Sequence, residues 1–455
     1  MVTEKAKRPD GPKGYPIIGN MLNIAKKDRI KWMQHIYETY GDVVRFKLFG
    51  RQVYLVNHPD LVREILVHRR ANYSKDTLSF KMVGVVLGES TFTAMDNTWE
   101  RKRQLAQPSF HKSRISNLGQ IMTDTISEML GQWEDYSLTG QIVNVADEMM
   151  RLTLTIVVKA LFSTALTEKE VQTVADIFTP LLKETNDRIT FPFTWLHQLP
   201  TTKNKAYQGY IDQLDAIIYR IIEQRKTSGQ DYNDLLQMLI DARTEDGNEA
   251  LSDQELRDEV MTIFIAGHET TANALSWLWY ILSQREDILQ KVEAEVAAVL
   301  DDRVPTAKDF SDLSYCTKVF KETLRLYPPV PMLPRHVAQD DILGGYQLKA
   351  GDDVFFGAYL LPRLPEFWEN PEVFDPHHFD KEQERKRHTF AYLPFGGGPR
   401  ICLGNNFAMM EAILIMAMVV QRFQLKLAPG HQVTPLVSLT TRPEQGVPMV
   451  MEQRS

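Results

Sequence analysis

Cysteine is nearly absent from this chain: Cys316 and Cys402 are the two among 455 residues. Two thiols build no disulfide framework, so a reducing compartment is expected. Excess positive charge is missing too. The 52 Lys and Arg stand against 59 Asp and Glu, a net charge of -7. Nucleic acid, which selects a basic surface, is not an expected partner. No apolar run approaches the roughly 20 residues that span a bilayer. The longest, 412–420, reads as part of a buried helix. The opening MVTEKAKRPDGPKGYP has charges and prolines where a secretion signal needs an apolar core. A cytoplasmic protein with no transmembrane anchor is therefore expected. Internal repeats and low-complexity linkers are also lacking.

What is present is a large apolar fraction, 43% of residues, enough for a sizeable core. Pro- and Gly-rich stretches at 8–19, 327–334 and 394–404 adjoin periodic or apolar segments, so they read as ordered turns. Two short strands are expected at 43–48 and 52–56, joined at Phe49-Gly50-Arg51. Helical patterns then dominate, over 59–67, 99–107, 116–138, 142–162, 168–185, 205–227, 233–243, 252–284, 311–326 and 405–422. The longest, 252–284, would span about 50 Å, enough to cross a domain. Ser252 and Glu255 at its start have capping-box spacing. After Asp341, strand signals return, with Gly344-Gly345 and Ala350-Gly351 as turns. The expected fold class is mainly α with minor β. One domain over 1–455 is expected, opening on a Pro/Gly-rich segment, 1–20.

Four patterns carry chemistry. The densest is Phe395-Gly-Gly-Gly-Pro-Arg-Ile-Cys402-Leu-Gly404. Glycines permit close approach of a flat ligand and positive φ, and Pro399 stiffens the turn. Cys402 stands just ahead of the helix expected at 405–422. A helix N-terminus favours an anion and so lowers a thiol's pKa. Inside the longest helix lies Ala266-Gly267-His268-Glu269-Thr270-Thr271. Ala266 and Gly267 leave room beside the helix. A mid-helix Thr hydroxyl bonds the carbonyl one turn back or diverts that bond to a ligand. Glu322 and Arg325, three apart ahead of Tyr327-Pro328-Pro329, share a helix face. Trp99 and Arg103, four apart, point the same way.

Taken in their order along the chain and at these separations, the motifs resemble those of the cytochrome P-450 family across nearly the whole chain: W-x-x-x-R, A-G-x-(D/E)-T-(T/S), E-x-x-R and F-x-x-G-x-R-x-C-x-G. The resemblance implies the cytochrome P-450 fold, with a long central helix over haem and small β sheets. It implies a haem-thiolate monooxygenase that inserts one oxygen atom from O2 into its substrate. Cys402 would be the ligand of the iron in haem b, its thiolate favouring O–O cleavage. Phe395 would pack beside it. Arg400, Trp99, Arg103 and Arg335 would meet the haem propionates, with Lys75 of Asn72-Tyr-Ser-Lys75 as a further contact. Thr270 would steady oxygen and an ordered water, and Glu269 would relay protons. His268, in the variable position, would point away from the haem. Glu322 and Arg325 would form a buried network supporting the cysteine loop. The family's third member of that network is usually an arginine. Here His378 stands at its place, and its charge depends on pH.

By the same resemblance the substrate walls comprise the loop 80–87 with Phe80 and Val86, the segment 189–195, Ile263 and Ala266, Val330 and Leu333, and the turn carrying Leu439. Apolar walls bind by area burial and reject charge. The expected substrate is lipophilic: a terpene, steroid, fatty acid or aromatic. Arg51 and Tyr54 read as β-turn surface residues or as a grip on a carboxylate. Cys316 reads as a packed thiol. No cysteine cluster and no further domain after Leu427 are found, so electrons are expected from NAD(P)H through a separate redox protein. A ferredoxin- or flavodoxin-type partner could dock on Arg101, Lys102, Arg385, Lys386 and Arg387. A monomer is expected. A peroxide-driven or isomerising enzyme is a second reading, disfavoured by Glu269-Thr270. A haem-based sensor is a third, disfavoured because no output segment is found.

Overall fold

The structure is a computed structural model describing residues 7–25, 29–163, 168–190, 194–230, 232–245 and 247–454. It is mainly α with minor β, as expected, and forms two compact units.

The first unit gathers the N-terminal stretch ending at Met82, Leu324–Cys402 and Leu436–Thr441. Its frame is a sheet in which Val43–Leu48, Arg51–Val56, Asp353–Phe356, Leu333–Val337 and Tyr73–Ser74 lie side by side in that order. The first two strands form a hairpin in register Val43 to Val56. Phe49 and Gly50 close it at φ 47° and 79°. Two left-handed turn residues match the right-handed twist of the strands. The sheet is buried on both faces. Val44, Phe46, Val53 and Leu55 pack on Met33 and Ile36. Val43, Tyr54, Val354 and Phe356 pack on Val62, Ile65 and Leu66. That explains why these strands read as apolar runs rather than as strict alternation.

The second unit takes Val83–Thr323, Leu403–Pro435 and Arg442 onward. Its axis is the 32-residue helix Asp253–Gln284. Leu275, Trp277 and Leu278 are 0% exposed and Trp279 is 2% exposed, so the C-terminal half is enclosed all round. Asn405–Arg422 is enclosed likewise, with every residue from Ala412 to Val420 buried. A sheet of Ile142–Asn144, Pro448–Gln453 and Phe423–Leu427, in that order, completes the unit.

The structure departs from sequence periodicity in places. The segment 142–162 is a strand, Ile142–Asn144, followed by a helix, Val145–Phe162. β-branched Ile142 and Val143 extend and pair with Val450 and Met449. Asn144 then caps the helix through the Ala146 amide. The stretch 80–87 is not a loop but most of a helix, Leu78–Leu87. Nothing in it breaks a helix until Gly88, at φ 60°. The helix Glu286–Leu300 escapes the sequence reading, although Ile288, Val292, Val296 and Leu300 recur every four residues. Much of the expected substrate segment 189–195 lies outside the described residues. No helix among the described residues is long and apolar enough to cross a membrane.

Ser252 caps the long helix as its spacing predicts. Its hydroxyl accepts from the Glu255 amide (3.3 Å), and the Glu255 carboxylate accepts from the Ser252 amide (3.0 Å). Ser252→Ala should remove about 1 kcal/mol of stability, seen as a lower urea midpoint with an unchanged slope.

Candidate active site

In the first unit, the Cys402 amide donates to the Phe395 carbonyl at 2.9 Å and closes the cysteine turn. Its three glycines do different jobs. A Cβ on Gly398, at φ 66°, would stand 2.6 Å from the Leu66 carbonyl oxygen. A Cβ on Gly397 would meet Leu393 at 3.0 Å and Phe390 at 3.1 Å. Those two glycines serve packing against protein. Gly396, at φ 73°, has nothing within 4 Å of its Cβ position. Of the three, it is the one that leaves the turn open to a flat ligand. Cys402 is exposed, and Phe395 and Arg400 are half-buried. Cys316 is buried, and burial followed by nearby Glu295 raises its thiol pKa, which keeps it inert.

Arg335, on the strand Leu333–Val337, is 6% exposed. Its Nη1 donates to the Pro334 carbonyl at 2.7 Å. No carboxylate among the described residues pairs with it. Burial, then the like charge of Arg400, brings its pKa down to about 10. A guanidinium is still charged at neutral pH with that value. The strand therefore holds a buried cation beside a second cation, which is costly until an anion arrives. Lys75 is also buried, with Nζ 4.7 Å over the Phe80 ring. Val330 and Leu333 are half-buried, and Leu439 is 40% exposed. Tyr54 is buried, and burial together with Asp352 pushes its pKa up to about 12, so it is not offered to a ligand carboxylate.

Glu322 and Arg325 lie on the helix Ser314–Leu326 and are both 0% exposed. Arg325 donates to three carbonyls, of Pro362 (3.0 Å), Pro371 (2.5 Å) and Val373 (2.9 Å). Its guanidinium carbon lies 5.0 Å from the Trp368 ring centre. His378 places its ring edge-on to Trp368 and bonds the Glu369 carbonyl through Nε2 at 2.6 Å. An arginine does reach this cluster, from nine residues further on. Arg387 lies 3.6 Å over Trp368 and donates to the His378 carbonyl. Sequence reading placed His378 in this cluster but not Trp368, and gave Arg387 to a docking face instead, because no spacing rule connects 368 with 387.

In the second unit, the central helix is exposed at its two ends and opens again in its middle. Val260, Met261 and Thr262 are buried, as are Thr271 to Trp279. Between them Ile263, Glu269 and Thr270 are half-buried and Ala266 is exposed. Ile263, Ala266 and Thr270 share one face by helical period. The Thr270 hydroxyl donates to the Ala266 carbonyl at 2.8 Å. Gly267 gives room to a neighbouring helix rather than to a ligand: its Cβ would stand 3.0 Å from Val157. His268 is turned into the core, edge-on to Phe178 with centres 4.1 Å apart, and burial lowers its pKa to about 4. On the helix Asp96–Ala106, Trp99 is buried and Arg103 donates to Gln107 at 3.1 Å. Val86 is buried, and its carbonyl accepts from Arg257 at 2.9 Å. Lys102 is also buried, donating to the Glu89 carbonyl, and Arg101 pairs with Glu255. These two cations are thus engaged inside the unit rather than free for docking.

A family model described as Cytochrome P-450 matches residues 9–447. The chain belongs to the cytochrome P-450 family. It is 32% identical over 440 residues to cyclooctatin synthase of Streptomyces melanosporofaciens, covering 96% of this chain and 94% of that one. It is 30% identical over 419 residues to cyclooctat-9-en-7-ol 5-monooxygenase of the same organism, covering 92% and 90%. The crystal structure of the cytochrome P-450DA haem domain matches with a TM-score of 0.89 at 26% identity, over 98% of each chain. The fold is that of a P-450 haem domain, and the chain is a P-450 monooxygenase.

The residues at hand fit a haem. Among the described residues no group of three or more His, Cys, Asp or Glu side chains forms a metal cage. A single exposed thiol suits an iron whose other ligands come from a macrocycle. Arg335 and Arg400 suit the macrocycle's carboxylates. Sequence reading also missed three polar groups of the P-450 core. Glu411 is 0% exposed beside Thr271, and burial pushes its carboxyl well above the usual carboxylate range. Glu259 accepts the Thr91 amide (2.6 Å) and hydroxyl (2.8 Å). Thr262 is the third. Hydrophobic spacing marks all three as inward-facing, but it does not distinguish a polar residue from an apolar one there.

Arg335→Leu should raise the melting temperature of the haem-free chain, because an uncompensated buried charge is removed, while haem retention on gel filtration falls. Stability unchanged in the haem-free form would contradict the unpaired cation. Gly396→Ala should cost about 1–2 kcal/mol through its left-handed φ. Gly398→Ala should cost about 1–3 kcal/mol more, because it also strikes the Leu66 backbone. Thermal melts of the pair test that order.

Proposed function

We propose that Cys402 supplies the iron's thiolate ligand and that the whole matched span works as one catalytic domain oxidising a lipophilic substrate, a terpene or terpene alcohol before a steroid, fatty acid or aromatic. The observation that carries the haem assignment is the buried Arg335 cation, beside the like charge of Arg400, in the same unit as an exposed thiol on a closed turn. The substrate class is supported by the apolar opening at Ile263 and Ala266. It is also supported by a relative named for monooxygenation of cyclooctat-9-en-7-ol.

Haem, when bound, activates O2 with two electrons and two protons, and the chain's own groups supply the rest. Arg335 and Arg400, with Trp99, Arg103 and Lys75, hold the propionates. Phe395 packs beside the cysteine. Glu322, Arg325 and His378, with Trp368 and Arg387, stiffen the segment around Pro362 to Val373. The Thr270 hydroxyl donates its hydrogen bond to the Ala266 carbonyl. Its oxygen therefore presents lone pairs and orders a water by accepting from it. Glu269, one residue earlier, holds and releases protons for that water. Phe80, Val86, Val330, Leu333 and Leu439 add apolar area and exclude water. Electrons come from NAD(P)H through a ferredoxin- or flavodoxin-type protein to a cytoplasmic monomer.

Carbon monoxide added to the reduced protein should give the red-shifted Soret band of a thiolate haem, and Cys402→Ser should abolish it. A histidine-type band in the wild type would overturn the ligand assignment. Thr270→Ala should keep NAD(P)H consumption but divert electrons to peroxide and water, with product per electron pair falling about tenfold or more. Unchanged coupling would remove Thr270 from the proton path.

A further inference from the structure

Three consecutive residues of the central helix grip one short stretch of chain at three points. Arg257 donates from Nη1 to the Val86 carbonyl at 2.9 Å. Asp258 Oδ2 accepts from the Glu89 amide at 2.9 Å. Glu259 Oε1 accepts from the Thr91 amide at 2.6 Å and from the Thr91 hydroxyl at 2.8 Å. Lys102 adds a fourth hold by donating to the Glu89 carbonyl. Gly88 permits the approach: at φ 60°, a Cβ there would stand 2.1 Å from Asp258 Oδ1. Arg257 is itself fixed, its Nε donating to Asp215 at 2.7 Å. The three gripping residues are 4%, 3% and 2% exposed. Bonds to charged groups kept from water are the strong ones.

The gripped stretch begins at the end of the helix Leu78–Leu87. Val86 and Leu87 are buried, but the turn ahead of them is loosely enclosed. Met82, Val83 and Gly84 are half-buried, Val85 is 50% exposed, and nothing lies within 4 Å of the Gly84 Cβ position. Segments enclosed so loosely open at low free energy unless something ties them down.

We propose that Arg257, Asp258 and Glu259 are positioning residues: a latch that fixes residues 86–91 and, through them, the helix Leu78–Leu87, and so sets how tightly a lipophilic substrate is held. The consequence for the substrate rests on the reading of Phe80 and Val86 as substrate walls. None of the three latch side chains has to touch the substrate.

The latch has a pH signature. Both Thr91 bonds fall on one oxygen of Glu259, so a proton on the other oxygen breaks neither. Burial raises this carboxyl to about 7, with Thr91 and Lys102 pulling it down and Asp258 adding to the rise. Lys102 in turn has Glu255 at 3.6 Å. Released into water, Glu259 would return to its ordinary 4.5. The held form thus binds its proton more tightly. The grip is firmest below 4.5 and weakens as pH rises to 7.

The test follows hydrogen exchange at the Glu89 and Thr91 amides of the haem-loaded protein, expressed as protection relative to the unfolded chain. It also follows the optical shift on binding of two probes, cedrol and androstane. Asp258→Ala should cut the protection of both amides about tenfold or more and weaken probe binding. Asp258→Asn, which keeps an acceptor oxygen, should restore most of both. Wild-type protection should fall about tenfold between roughly pH 5.5 and 7.5, and Glu259→Gln should remove that slope. Protection unchanged in Asp258→Ala, or a slope unchanged in Glu259→Gln, overturns the latch. Protection lost with probe binding unchanged overturns its hold on the substrate. Failure of both probes to bind the wild type overturns the lipophilic-substrate reading instead. The carbon monoxide spectrum of each variant shows that its haem site is intact.

Discussion

The helix Asp253–Gln284 must be buried along almost its whole length yet open at one place, and much of the second unit answers to that demand. Burial is met by apolar neighbours and by satisfying each polar group locally. Thr271 and Ser276 return their hydroxyls to the helix, and Glu259 is tied to Thr91. Gly267 lets Val157 approach, so the helix can be clasped closely on the side away from Ala266. The opening is therefore made by crowding everywhere else.

The first unit is organised by buried positive charge. Arg325 donates to three carbonyls and lies over an indole face, and so cross-links segments far apart in sequence. Arg335 has one carbonyl and a like-charged neighbour. The same residue type is thus a finished joint in one place and an unfinished one in another. That difference separates a structural cation from one that waits for a ligand, and it lies in partners rather than in burial.

Much of this was legible in the chain. The capping box at Ser252, the buried character of 412–420 and the hairpin at Phe49-Gly50 follow from local rules, since each depends on residues within a few positions of one another. The order and spacing of the four motifs were equally plain. The roles within them were not. Three consecutive glycines look alike in sequence, but Gly397 and Gly398 answer to Phe390, Leu393 and Leu66, while Gly396 answers to open space. The helix Leu78–Leu87 read as a loop because its apolar residues suggested a wall before they suggested a turn of helix.

The sequence by itself determined the family, the mainly helical class and the residues on which the chemistry was to be sought. Local periodicity and motif spacing are properties of a linear chain. Only the tertiary structure decided that Arg387 lays its guanidinium on Trp368, that Lys102 is inside, and that the buried Thr262 hydroxyl meets no hydrogen-bond partner. Each of these depends on which groups arrive from distant parts of the chain to meet a charge or a hydroxyl. Pairing and desolvation are fixed by that arrival, and no spacing along the sequence encodes it.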